Sequence, residues 1–314
     1  MGTELYDFQT TIKSRVSLSG TGVHSGKPVS VHFHPADPDT GIVFHRTDLG
    51  PEIVEICANA ASIGGTDLCT ALGERNGPQV ATVEHLMAAV FALGIDNLLI
   101  EIDAGEMPIL DGSAMPYVEA FDSVGLEPQA VKRRYVRVLK PVRWDQGGSW
   151  AEFRPYDGTR FEVEIDFATP VIGRQRLSID ITPATFRREI ARARTFGFLK
   201  DVERLWAGGL ALGSALENTV VISEDQRVIN VEGLRYPDEF VRHKTLDAMG
   251  DLALAGTRFI GCFRSYRGGH KLNAEALRRL LSDRSAFEIV EARDRGRSAE
   301  MIRVNAPVYA PWMI

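Results

Sequence analysis

The order of elements repeats once along this chain of 314 residues, and that repetition most narrows what it can fold into. In the first part, short alternating or β-branched segments (Arg15–Leu18, Val29–Phe33, Gly41–Phe44) are separated by the turns GTGVHSG and HPADPDTG. Residues Thr82–Leu93 (TVEHLMAAVFAL) then set Val83, Leu86, Met87 and Val90 at helical spacing, with Thr82 as the expected cap and Gly94 as the stop. Asn97–Ile102 reads as a buried strand, followed by a loop with Pro108, Asp111 and Gly112. The later part runs in the same order. Strands are expected at Tyr135–Leu139, Ala151–Arg154 and Phe161–Phe167, then helices near Pro183–Arg194 and Asp238–Leu254, a strand at Phe259–Phe263 and a final helix from Asn273. HPADPDTGIVFH and RPYDGTRFEVEID share this layout without sharing residues. The expectation is an α+β protein of two related domains facing each other, in which a site built between the halves would draw residues from both. Apolar periodicity is lost over residues 125–135, which sets the domains at 1–128 and 129–290 and leaves 291–314 as an unassigned tail.

A hydrophobic fraction of 44% and a charged fraction of 25% supply enough apolar material for two cores and exclude disordered and fibrous classes. The net charge is -6 and no long Lys/Arg run occurs, which argues against a nucleic-acid partner. The densest basic stretch, Arg187–Arg194, reads first as the solvated face of a helix, with a local anion site as the alternative. Three cysteines, Cys57, Cys69 and Cys262, lie far apart without a CxxC pair, so neither a disulfide framework nor a thiolate zinc site is indicated. The start MGTELY carries no apolar leader and has Tyr6 where myristoylation wants Ser or Thr, and no apolar run approaches the ~18 residues of a spanning helix. The expectation is a soluble cytoplasmic protein without a transmembrane segment.

Three short segments carry chemistry. In FVRHKTLDAMGDL, His243 and Asp247 are four apart and share one helical face, as two ligands of one divalent ion do; Asp251 extends the stripe. Three ionisable groups on one face of a Leu/Met/Ala-rich helix are costly unless compensated. In TVEHLMAA, Glu84 adjoins His85, pairing a candidate general base with a candidate ligand. In SYRGGHKLN, His270 follows two glycines, which is expected to expose it on a tight turn as a proton carrier. Each alone has a blander reading: an acidic surface face, a surface Glu-His at a helix start, a helix-flanking histidine. His32 and His34 point to one face of a strand and, with His45, are expected to face solvent.

Together the segments GTGVHSG (20–26), TVEHLMAA (82–89), GIDNLLIE (94–101), LDGSAMPY (110–117), ARARTFGFLKD (191–201), EGLRYPDEFVRHKTLDAMGDL (232–252) and GGHKLN (268–273) resemble the UDP-3-O-acyl-N-acetylglucosamine deacetylase family of lipid A synthesis. The resemblance implies Zn2+ held by His85, His243 and Asp247, with Fe2+ as a cellular alternative. It implies Glu84 as general base, His270 as the second catalytic group oriented by Asp251, Thr195 near the developing oxyanion, Lys244 binding substrate and Phe196 lining an apolar passage for the fatty acyl chain. It implies an α+β fold of two similar domains, each a β-sheet layered on helices, with the active site between them. It assigns the passage to an insert at Asp166–Arg194, and it implies a UDP-3-O-acyl-GlcNAc substrate and transient contact with the inner membrane surface. Gly268-Gly269-His270-Lys271 departs from the family pattern by adding a lysine at the site mouth. The competing readings are an amidohydrolase of another N-acetylated sugar, and a binding protein with a structural metal.

Overall fold

The structure, a computed structural model, describes residues 8–292 and the strand Ile302–Arg303. The rest of the unassigned tail lies outside the described residues. A five-stranded sheet forms the first half, in the order Val16–Thr21, Pro28–Pro35, Leu98–Ile102, Ile42–Arg46, Val54–Cys57. All neighbours are antiparallel except Ile42–Arg46, which runs parallel to Leu98–Ile102. Pro28–Pro35 shows why one face packs: Val29, Val31 and Phe33 are buried, whereas His32 and His34 alternate to the other side. There His32 meets Ser17 at 2.7 Å and His34 meets Glu101 at 2.9 Å, and His45 reaches Glu55 at 3.2 Å. These histidines occupy the outer face, as expected.

The second half contains an eight-stranded sheet in which Val142–Gln146, Ser149–Arg154, Arg258–Tyr266, Thr159–Asp166 and Arg174–Asp180 lie side by side. Their directions match the first sheet pair for pair, with Thr159–Asp166 parallel to Arg258–Tyr266 and the other neighbours antiparallel. Helices α1 (Glu84–Leu93) and α2 (Met115–Val124) stand in the first half where α5 (Glu239–Ala253) and α6 (His270–Ser282) stand in the second. The expected repetition is therefore present in topology. Extra strands Arg134–Val138, Phe287–Glu291 and Ile302–Arg303 continue the second sheet. Residues Leu126–Lys132, where periodicity fails, form a strand paired with Phe8–Ile12.

Chain is added to each repeat just before its buried helix. In the first half the addition is a small sheet of Ile63–Gly65, Ala71–Gly73 and Gln79–Val80. In the second it comprises α3 (Pro183–Glu189), strand Phe196–Phe198, α4 (Leu199–Ala207) and strand Val220–Ile222, the two strands pairing in parallel outside the large sheet. This corrects the assignment of the insert to Asp166–Arg194. Arg174–Asp180 belongs to the repeat itself, held in full register against Thr159–Asp166.

Helix α1 is buried at all ten positions, which explains an apolar pattern that wraps around it. It crosses α5 at Gly250, where a Cβ would stand 2.0 Å from the carbonyl oxygen of Glu84. Only glycine permits that approach, and it places the first turn of α1 beside the polar stripe of α5. A continuous apolar core runs through both helices, from Val31 and Phe33 in one half to Phe259 and Phe263 in the other.

Three local expectations fail for physical reasons. Thr82 does not cap α1: its backbone is left-handed at φ 57°, and its hydroxyl donates to Glu106 at 3.1 Å. The helix expected to Arg194 ends at Glu189, because Arg194 turns inward and is 1% exposed, donating to Glu239 at 2.9 Å and to Glu232 at 2.6 Å. Within the basic stretch Arg194 is thus structural, whereas Arg188 and Arg192 are exposed and Arg187 is half-buried, as expected of a solvated face. The final helix begins at His270, three residues before Asn273.

Candidate metal centre

Residues from both repeats meet at the α1–α5 crossing. His85 on the first turn of α1 and His243 and Asp247 on α5 are all buried, with donor atoms all within 4.8 Å of one another. His243 Nε2 lies 3.3 Å and His85 Nε2 3.9 Å from Asp247 Oδ1, and the two imidazole planes stand at 83°. Two donors each ~2.1 Å from a tetrahedral ion are roughly 3.4 Å apart, so the set has the span of a three-ligand metal site. His243 Nδ1 donates to the Ala193 carbonyl at 3.0 Å, which directs the Nε2 lone pair at Asp247 and His85. That carbonyl is held in place by the buried Arg194–Glu239 pair, which sequence patterning did not reveal.

Charge balance supports the same reading. Burial pushes the His85 imidazole down to about 3, and the nearby His243 adds to the effect, so it presents a neutral ligand nitrogen. Burial disfavours the Asp247 carboxylate, yet His243 and Lys244 outweigh it and hold Asp247 ionised, below the usual carboxylate range. Lys244 Nζ donates to Asp247 Oδ2 at 2.7 Å; burial works against its charge, but Asp247 keeps it protonated.

A second group of ionisable side chains adjoins the ligands. Glu84 is buried, accepts a hydrogen bond from the Thr70 N–H at 3.0 Å, and is raised by burial to about 7 against the pull of His270. Its Oε1 faces His270 Nε2 at 3.9 Å. His270 Nδ1 is 3.1 Å from Asp251 Oδ2; burial lowers its pKa, but Asp251 and Glu84 overcome this and lift it to about 9. The side chain of His270 is only 10% exposed, so the expected open turn is instead a partly covered first helical turn. Asp251 is fixed further by the Thr70 hydroxyl at 2.6 Å and Asn273 Nδ2 at 2.8 Å. Thr70 and Asn273 were missed in the sequence, since neither spacing nor composition marks them.

Thr195 follows the buried Arg194, its N–H donating to Gly112 and its carbonyl accepting from Val220, both at 2.8 Å. Phe196 follows, 6.3 Å from the His243 ring and 5.0 Å from Phe240 between centroids. It joins Phe167, Val171, Leu177, Phe198 and Val220 in an apolar cluster separate from the main core. Lys271 is exposed. His24, from the GTGVHSG turn, has its pKa lowered by burial and lies close enough to Glu106 and His270 to feel both charges.

A family model described as UDP-3-O-acyl N-acetylglycosamine deacetylase matches residues 9–282. Proteins named UDP-3-O-acyl-N-acetylglucosamine deacetylase from Brucella ovis and Brucella abortus (strain 2308) are 61% identical over 285 residues, covering 91% of this chain and 99% of theirs. The one from Brucella melitensis biotype 2 is 60% identical over the same span. The chain belongs to the UDP-3-O-acyl N-acetylglycosamine deacetylase family. Members of this deacetylase family are metalloenzymes and amide hydrolases, and the His85, His243 and Asp247 group is the one cluster of metal-ligating residues among the described residues. The match covers both repeats and every segment that carries the centre.

Proposed function

We propose that this chain is a zinc-dependent deacetylase that hydrolyses the 2-acetamido group of UDP-3-O-(3-hydroxyacyl)-N-acetylglucosamine to the free amine and acetate, the committed step of lipid A synthesis. The observation that carries the reading is the adjacency of the ligand set His85, His243 and Asp247 to the Glu84 and His270–Asp251 pair in one buried site. A binding protein with a structural metal needs no such pair. When bound, a divalent ion supplies Lewis acidity there, making water acidic enough to attack near neutral pH.

The chain's own residues divide the remaining work. Glu84 takes the proton of the attacking water, and the Thr70 N–H holds its carboxylate in place. Thr195 offers its hydroxyl to the oxygen that gains charge as the carbonyl is attacked. His270, charged because Asp251 faces its Nδ1, delivers a proton from Nε2 to the departing amine. Lys244 provides a cation for the substrate, and Phe196 begins an apolar wall suited to the acyl chain. The wall lies against the Phe196–Ile222 unit, where we place the passage.

Zn2+ suits two imidazoles and a carboxylate, and the same donors take Fe2+ in cells. We place the reaction in the cytoplasm: among the described residues no helix is long and apolar enough to cross a membrane, and a UDP-sugar is a water-soluble substrate. Transient contact with the inner membrane surface is supported by exposed Leu199 and Trp206 on α4. The division into 1–128 and 129–290 rests on the duplicated strand order. Acetate release from UDP-3-O-acyl-GlcNAc by the purified protein, before and after chelation and zinc re-addition, tests the whole reading. Equal turnover of UDP-GlcNAc lacking the chain would favour a different N-acetyl sugar.

A further inference from the structure

A buried carboxylate outside the centre joins three parts of the chain. Glu106 accepts at Oε1 from the His24 N–H (2.8 Å) and the Thr82 hydroxyl (3.1 Å), and at Oε2 from the Ser25 N–H (2.9 Å). Thr82 stands two residues before Glu84, at the entry to α1. Gly22 lets the carboxylate lie beneath the loop, since a Cβ there would be 2.3 Å from Glu106 Oε2. Hydrogen bonds from Gly22 N to Lys27 O and from Gly26 N to Gly22 O close the loop tightly.

The far side of this loop is bonded to the other half of the molecule. Leu212 N donates to His24 O at 3.2 Å and Gly213 N to Val23 O at 3.0 Å, and a Cβ on Gly213 would stand 2.3 Å from Gly22 O. Residues 208–219 connect α4 to strand Val220–Ile222 and so close the unit that carries Phe196 and Phe198. Asn218 braces this connection, donating to Gly213 O at 3.0 Å and accepting from Ala215 N at 3.0 Å. One line of contacts therefore runs from the entry of α1 through Glu106 and residues 22–26 to the apolar unit.

We propose that Glu106 is a positioning residue that sets the span between the metal centre and the acyl passage. The inference rests on the deacetylase reading and deepens it, because only a substrate with a long apolar chain must reach both places at once. Ionised acceptors hold N–H and O–H donors with stronger, shorter bonds than neutral ones, so a carboxylate is suited to fixing this loop. Loss of the latch loosens the passage and leaves Glu84, His270 and the ligands in place. The effect therefore falls on KM and not on kcat.

The test uses the full-length enzyme as wild type, Glu106→Ala, Glu106→Gln, Gly213→Ala and the Glu106→Ala/Gly213→Ala double variant, with long- and short-acyl UDP-3-O-acyl-GlcNAc. Glu106→Ala is expected to raise KM for the long-acyl substrate about tenfold, with kcat within about threefold and metal content unchanged. Its preference for long over short chains falls, and Glu106→Gln, which keeps one accepting oxygen, is intermediate. Gly213→Ala opens the latch from the other side, so the double variant is no worse than the worse single one. Wild-type chain preference and KM in Glu106→Ala, or multiplicative effects in the double variant, would overturn the proposal. Should Glu106→Ala fail to fold, Glu106→Gln and Gly213→Ala carry the same comparison. A wild-type enzyme inactive on the long-acyl substrate overturns the deacetylase reading itself, and the positioning role with it.

Discussion

Helices α1 and α5 occupy equivalent places in the two repeats, and both are buried almost throughout, yet they are built on opposite terms. Helix α1 is apolar apart from Glu84 and His85 at its first turn. Helix α5 carries Glu239, His243, Asp247 and Asp251 along its buried length. Each of these finds a partner: Arg194 for Glu239, the Ala193 carbonyl for His243, Lys244 for Asp247, and Thr70, Asn273 and His270 for Asp251. A duplicated scaffold thus supplies one helix that mainly packs and one that mainly organises charge, and the site exists only where the two cross. Burial of ionisable groups is sustainable here because Lys244 on α5 itself and Thr70, Arg194, His270 and Asn273 from other segments compensate them.

Removing a ligand from either helix should erase the difference between them. His85→Ala and His243→Ala should each empty the site, with activity down by about 10,000-fold, since several kcal/mol of charge stabilisation leave with the ion. Elemental analysis checks this, and a full complement of metal in either variant would break the claim that both helices hold it. Glu84→Ala and His270→Ala separate chemistry from metal holding. Each is expected to keep its metal and lose about 100- to 1,000-fold in kcat. Loss of metal alongside activity would contradict the roles given to them.

Gly250→Ala tests the crossing itself. A Cβ placed 2.0 Å from the Glu84 carbonyl oxygen must force the helices apart, at a cost of about 1–3 kcal/mol, read as a lower Tm. Activity should fall with it, because Glu84 and His85 move with α1; an unchanged Tm would show that the approach is not tight. The smallest effect is expected from the pH profile. With His270 as the proposed acid, kcat should fall as pH rises through about 9, where the imidazolium loses its proton. Asp251→Asn removes the charge that raises it, so the alkaline limb should move to lower pH. A limb that stays in place would assign it to another group.

The site was legible in part because its residues fall on regular spacings. His243, Asp247 and Asp251 recur every four residues and so share a helical face whatever surrounds them, and Glu84-His85 sets two ionisable groups side by side at the start of an apolar helix. The duplicated order of strands and helices was legible for the same reason. Other features were hidden because they depend on chain segments far apart in sequence. Thr70 reaches Asp251 across 181 positions. Arg194 looked like part of a solvated stripe, and only the buried Glu239 explains why the helix stops short of it. Arg174–Asp180, with an exposed polar residue at every second position, lies within the segment expected as the insert, although its pairing makes it a strand of the repeat.

Local spacing alone determined that His243, Asp247 and Asp251 share a face of α5 and that Glu84 and His85 open α1 together, because helical geometry needs no knowledge of the rest of the chain. Tertiary packing decided that the two helices meet at Gly250, that His270 lies against Asp251 under partial cover, and that the 22–26 loop held by Glu106 meets residues 212–213 of the other half. Burial and charge act through space, and the pKa values of Glu84 and His270 are set by neighbours that the linear order does not place beside them.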